Sequence, residues 1–217
     1  MTRLGHLRPL TQPGGDKAAH EPWRMAVALL HAANLTSEAH RLFGSRPAFA
    51  AVLAQLDHPS PRASTRSTSL GRVFDGVAAL LGVHTDHQFE GQAAMKLESL
   101  CRAPRPHPDG FLISDELTLD LLPLLPALLN TTPSDAADLF HGTLIAALTE
   151  WLERASRQTG LTTVALGGGC VLNGRLLTGL LASTERLGLT LLIPRELPPG
   201  DGAISLGQAW IGASHLF

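Results

Sequence analysis

Apolar residues recur at intervals of three and four along most of this chain. In the last third they give way to short apolar runs separated by glycine and proline. The first pattern predicts helices over residues 21–33, with Pro22 in the first turn, and over 47–56. Val73, Phe74, Val77, Leu80 and Leu81 predict a helix from residue 70 that stops at Gly82, and Ala94, Met95 and Leu97 a second one over about 91–101. Residues 58–69 and 101–110 read as loops. A short strand is expected at 111–113 and a leucine-rich helix near 116–129. Ser134 or Asp135 is expected to cap a long helix whose Phe140, Leu144, Leu148, Trp151 and Ala155 form one stripe, closed by Gly160.

The last third predicts a strand at about 162–166, a glycine turn, a helix over about 171–187, a strand at 189–193 and a helix from about 202. The fold class is therefore α/β, with a helix-rich region over about 20–160 followed by a strand-helix-strand-helix region over about 161–217.

Composition adds bounds to this picture. With 217 residues and 44% apolar content, the chain can bury a core. Its formal charge is −2, and no basic run or stripe invites nucleic acid or an anionic membrane. Cys101 and Cys170 lack the spacing of a zinc site or disulfide framework, so a reducing cytosol is the expected compartment. Neither an export signal nor a membrane span is expected, because the most apolar run, LTLDLLPLLPALL, is short and broken by Asp120, Pro123 and Pro126.

Candidate chemistry gathers where the glycines are. Gly167, Gly168 and Gly169 join a strand to a helix, an arrangement that suits either an anion resting on bare backbone N–H groups or a tight connection. Asn173, in the first turn of that helix, has an amide for a ligand hydroxyl or for neighbouring backbone. Asp201 follows a double proline and reads as an N-cap or as a metal ligand. Asp75 sits among apolar neighbours, where a carboxylate needs a partner or a ligand hydroxyl. Glu90 and Gly91 open a helix, where a carboxylate suits the dipole alone. His84 and His87 lie three apart without a third ligand, and His141 flanks the core stripe, so all three read as structural.

The stretches GHLRPLTQPGGDKAAHEPWRMA, SLGRVFDGVAALLG, FEGQAAMKLE, ADLFHGTLIAAL, VALGGGCVLNGRLL and PPGDGAISLGQA occur in that order over nearly the whole chain. Together they resemble the C-terminal part of the hydrogenase-maturation carbamoyltransferases (HypF type), the second half of their threonylcarbamoyl-transferase-like domain. The resemblance implies an actin-like ATPase and sugar-kinase fold, with two α/β lobes and a nucleotide in the cleft. It implies ATP and carbamoyl-adenylate as ligands, with transfer of the carbamoyl group to a C-terminal cysteine of a maturation partner and, ultimately, a cyanide ligand of a nickel-iron centre.

By position, the resemblance puts Asp75 on the ribose, Gly91 against the nucleoside, Gly167, Gly168, Gly169 and Asn173 at the nucleotide, and Asp201 on a divalent metal near the phosphates. Two positions depart from the family. Its Ser-Gly-Gly-Val loop is Gly167-Gly168-Gly169-Cys170 here, and the asparagine before its metal aspartate is Gly200. The family's metal-binding His-x-x-x-His is absent from this sequence, so the missing N-terminal half of the domain is the expected source of those ligands. Besides an enzyme segment, two readings stay open: a non-catalytic nucleotide- or partner-binding relative, and an O-carbamoyltransferase of the antibiotic-tailoring kind.

Overall fold

The computed structural model describes residues 2–58 and 65–214. Half of the loop expected at 58–69, residues 59–64, lies outside the described residues, and Thr65–Ser67 forms a strand in its second half.

Two helices make the centre of the helix-rich part. Pro22 opens α2 (Pro22–Ala32), which follows α1 (Lys17–His20), and every residue from Pro22 to Leu30 is buried. A helix apolar on all sides needs neighbours all round. α3 (Thr36–Phe43) and α4 (Phe49–Asp57) cover part of it, and its longest contact is with α5 (Leu70–Leu80). Ser69 caps α5 by accepting from Arg72 N, and α6 (Gln92–Leu100) packs alongside. Phe74 meets Phe140 edge to face, 5.0 Å between ring centres, tying α5 to the long helix α8 (Pro133–Thr159).

Three small sheets surround this core. β1 (His6–Leu7) pairs in parallel with β5 (Thr118–Asp120), which pairs antiparallel with β4 (Leu112–Ile113); β2 (Leu10–Gln12) and β3 (Thr65–Ser67) form an antiparallel pair. The leucine-rich helix expected over 116–129 is therefore corrected. Residues 118–120 are a strand because β1 offers a parallel edge, and Asp120 then accepts from Leu122 N to turn the chain into a 3-10 turn and the short α7 (Leu125–Leu129). The cap of α8 is also corrected. Pro133 takes the first helical position, so Thr132 is the N-cap, accepting from Asp135 N at 3.2 Å while its own hydroxyl donates to the Asp135 carboxylate at 2.7 Å. Gly160 closes the helix at φ +73°.

The last third follows the predicted order: β6 (Thr163–Ala165), a 3-10 turn (Gly169–Leu172), α9 (Gly174–Glu185), β7 (Thr190–Leu192), a second 3-10 turn (Asp201–Ala203) and α10 (Ile204–Ser214). β6 and β7 are parallel, with Val164 opposite Leu191. The chain is thus a helix-rich α/β fold. α10 buries none of its residues, and Trp210 on it is 77% exposed. No helix among the described residues is long and apolar enough to cross a membrane.

Loop 101–110 is held onto α8 from below. Asp138 Oδ1 accepts from Arg102 N and Ala103 N at 2.6 and 2.9 Å, and Thr143 Oγ1 from His107 N at 2.9 Å. Burial and the hydrogen bond to Asp138 push the Cys101 thiol up to about 12, so it stays protonated. Between these anchors the Arg105 backbone rests on Gly142, where an added Cβ would overlap it. Gly142→Ala is expected to destabilise the chain by roughly 1–3 kcal/mol, lowering the melting temperature by roughly 2–4 °C per kcal/mol. An unchanged thermal melt would contradict this packing.

Candidate functional site

The glycine turn is held by a relay of hydrogen bonds from α8. His141 is fully buried on α8, and its Nδ1–H donates to the Ala137 carbonyl at 2.8 Å. A carbonyl can only accept, so Nε2 is the bare nitrogen, and the Asn173 amide Nδ2 donates to it at 3.1 Å. Asn173 Oδ1 in turn accepts from Leu176 N at 2.9 Å, which makes Asn173 the N-cap of α9. Burial lowers the His141 pKa and keeps the ring neutral, as the relay requires. Asn173, expected in the first turn of the helix, thus stands just before it, with one N–H and one Oδ1 lone pair left over.

Upstream of that cap the turn is bare. Gly167, Gly168 and Gly169 are exposed, and Gly168 N donates to Pro199 O at 2.6 Å. Gly168, at φ +93° and ψ 159°, occupies a region only glycine adopts. Gly169 has no such constraint, and a Cβ there would meet nothing within 4 Å. The protein's own packing does not require that glycine, so its bare backbone is free to receive something else.

The 3-10 turn after the glycines packs on α5, where Asp75 lies. Asp75 is 2% exposed. Its Oδ1 faces His87 Nε2 at 3.0 Å, and its Oδ2 is 2.9 Å from the Arg72 guanidinium but receives no aligned hydrogen bond. Burial raises the Asp75 pKa against the opposing pull of Arg72 and His87. Cys170 is close enough that burial and then the Asp75 charge raise its thiol pKa. His87, read from the sequence as a loop histidine with no function, is thus the partner Asp75 needed. Its position twelve residues downstream, past the end of α5, carries no periodic signal.

The remaining predicted residues are Gly91 and Asp201. Gly91 is the N-cap of α6 at φ +77°, with open space over its Cα. Gly200 lies 3.8 Å from Gly169 N, measured from its would-be Cβ, so the loop bearing Asp201 borders the turn. Asp201 itself is exposed in a 3-10 turn whose N-cap is Gly200. Among the described residues no three His, Cys, Asp or Glu side chains converge to hold a metal, so Asp201 stands without further ligands of these types among them.

A cavity of about 1270 Å³ lies elsewhere, between α8 and α9 over Ile145 and Gly179, and none of the predicted site residues lines it. Two of its acidic residues already pair with arginines of their own helix, Glu150 with Arg154 at 2.6 Å and Glu153 with Arg157 at 2.5 Å. Polar groups converge at the glycine turn instead, and that is the candidate site.

Comparison with known proteins gives a consistent picture. Residues 1–208 match the family model described as carbamoyltransferase, Kae1-like domain, second subdomain. A carbamoyltransferase HypF of Rhizobium leguminosarum bv. viciae is 44% identical over 95% of this chain and 27% of its own length. HypF2 of Cupriavidus necator is 42% identical over 96% of this chain and 29% of its own length. A solved structure of full-length HypF in the phosphate- and nucleotide-bound form superposes with a TM-score of 0.86 at 28% identity, over 99% of this chain and 29% of that one. This chain therefore spans between a quarter and a third of the length of these relatives.

The relay predicts a pH dependence. Because the fold lowers the His141 pKa below the value of about 6.5 in an unfolded chain, the unfolded state binds the extra proton first. Stability is then complete above that value and is lost as pH falls below it. The melting temperature is expected to drop between pH 7 and 5.5, and His141→Gln to flatten that drop. Asp75, raised by burial, titrates with the opposite sign, so the difference between parent and variant isolates the histidine. Equal slopes in the two proteins would contradict a neutral, buried His141.

Proposed function

This chain belongs to the HypF carbamoyltransferase family, and on that footing we propose that it is the nucleotide-holding second half of a carbamoyltransferase domain serving hydrogenase maturation. The observation that carries the proposal is the convergence of an exposed glycine turn, pinned at the head of α9, with a buried carboxylate on α5.

In this reading the site holds carbamoyl-adenylate, made from ATP and carbamoyl phosphate. The buried Oδ2 of Asp75, which receives no hydrogen bond among the described residues, accepts from a ribose hydroxyl, and the nucleoside lies against the open backbone at Gly91. Backbone N–H groups of Gly167 and Gly169, beside the positive end of α9, offset phosphate charge, while Gly168 N is held by Pro199 O. Asn173 fixes where that turn stands and offers its remaining N–H. The sulfur of the partner's C-terminal cysteine attacks the carbamoyl carbon, the carbon–oxygen bond to the adenylate phosphate breaks, AMP leaves with the electron pair, and the thiol proton passes to solvent. No step is assigned to a metal, because Asp201 stands alone among the described residues. The likeness to HypF proteins favours this chemistry over an antibiotic-tailoring O-carbamoyltransferase.

The first half of the domain is the proposed neighbour of the last third. A two-stranded parallel sheet is ordinarily covered on both faces, yet Leu192 of β7 is 53% exposed. Ile204, Leu206, Trp210 and Ile211 of α10 are all more than half exposed as well, an apolar surface of the kind that marks an interface.

A non-catalytic nucleotide-binding relative remains the second reading, favoured by the isolated Asp201, and two measurements separate the readings. AMP binding by calorimetry is expected to weaken by roughly 1–3 kcal/mol in Asp75→Ala and in Asn173→Ala; affinity unchanged in both would remove the site from this turn. Transfer from carbamoyl-adenylate to the partner cysteine is expected only when a separately made first half of the domain is added. Transfer by this chain alone at the same rate would contradict the division of labour, and binding with no transfer by the pair would favour the non-catalytic relative.

A further inference from the structure

Resting on the reading that Asp75 accepts from the ribose, we propose that His87 is a positioning residue. It ties down one oxygen of the Asp75 carboxylate so that the other is presented to the ribose hydroxyls.

Asp75 and His87 are each 3% exposed at the side chain and 3.0 Å apart through Oδ1 and Nε2. A carboxylate oxygen facing that nitrogen requires the proton to be on Nε2, which holds for the protonated ring and for one neutral tautomer alike, so His87 is a donor in either state. The ring cannot easily swing away. His87 N donates to His20 O at 2.8 Å, which fastens the loop after α5 to the end of α1, and the ring packs against His84 with centroids 5.1 Å apart. Its Nδ1 is buried and makes no hydrogen bond, so Asp75 is its one polar partner at the side chain among the described residues.

The other carboxylate oxygen has a different environment. Arg72, one turn earlier on α5, lies 2.9 Å from Oδ2 but is not aligned to donate to it. Oδ2 therefore has charge nearby and an unfilled acceptor position, while Oδ1 is filled. Without His87 the carboxylate is free to rotate toward Arg72 with both oxygens, and the unfilled acceptor is lost. A hydroxyl donating to a fixed, charged acceptor gains more than one donating to a mobile acceptor, because the alignment is already in place before binding.

The test compares two nucleotides on the parent chain and three variants by calorimetry. AMP carries the ribose hydroxyls and 2′,3′-dideoxy-AMP lacks them. His87→Phe, which keeps a ring but has no donor, is expected to weaken AMP by about five- to tenfold and to leave dideoxy-AMP unchanged. His87→Gln, which keeps an N–H at a similar reach, is expected to bind AMP within about twofold of the parent. Asp75→Ala is expected to lose AMP affinity and keep dideoxy-AMP affinity. If His87→Phe does not fold, the smaller His87→Leu carries the same comparison.

A merely structural histidine would weaken both nucleotides together, and that result, or unchanged AMP binding in His87→Phe while Asp75→Ala loses it, overturns the inference and leaves the function standing. Equal effects of Asp75→Ala on both nucleotides, or no AMP binding by the parent, overturn the Asp75 reading and this inference with it.

Discussion

The neutral imidazole of His141 is the joint on which the site depends. It receives Asn173 on one nitrogen and gives its proton to the Ala137 carbonyl from the other, so the middle of α8 sets where α9 begins. Every later feature follows from that point. The cap fixes the direction of α9, the cap's backbone fixes the end of the 3-10 turn, and the glycines reach back from there to β6. An N-cap contributes roughly 0.5–2 kcal/mol by itself. Losing this one would also leave the His141 Nε2 buried without a donor, an added cost of about 1–3 kcal/mol.

The same economy of polar groups appears on α5. A buried carboxylate is tolerated only where donors and opposite charge surround it. Asp75 has Arg72 and His87 at about hydrogen-bond distance, yet burial still raises its pKa. The protein therefore keeps a carboxylate where packing alone would place a leucine, with one oxygen under-satisfied. Asp138 is the contrast. Burial works to raise its pKa too, but the N–H groups of Ala103 and Arg102, the Cys101 thiol and Arg105 outweigh it and lower the value. One buried aspartate is fully occupied in holding a loop, and the other retains an unfilled acceptor.

Long amphipathic segments were legible in the sequence because their period is set by burial against a single core. α2, α5, α6 and α8, and the strand-helix-strand-helix order of the last third, stand where the apolar spacing put them. Of the two- and three-residue strands, β4, β6 and β7 were legible as short apolar runs and the other four were not. β1, β2, β3 and β5 are defined by the partner strand rather than by any period, so the leucines of 117–129 read as helix until β1 supplies an edge. α3 also escaped, since only Ala39 and Phe43 of its eight residues are buried. At the site, the sequence singled out Asp75, the glycines and Asn173 by residue type and motif. It did not reveal that His141 and His87 hold them, because the pairs His141–Asn173 and Asp75–His87 join different elements through contacts that leave no spacing. His141, read as structural, is so, although its role is to place the site.

The proposed ligand site is the pinned glycine turn and not the groove between α8 and α9. The most direct measurement is the nuclear magnetic resonance of backbone amides in this chain during titration with AMP. Shifts are expected at Gly167–Gly169, Asn173, Gly91 and the residues around Asp75, with Ile145, Gly179 and Arg186 unmoved. Shifts centred on Ile145, Gly179 and Arg186, or none at the glycine turn at saturating AMP, would contradict it.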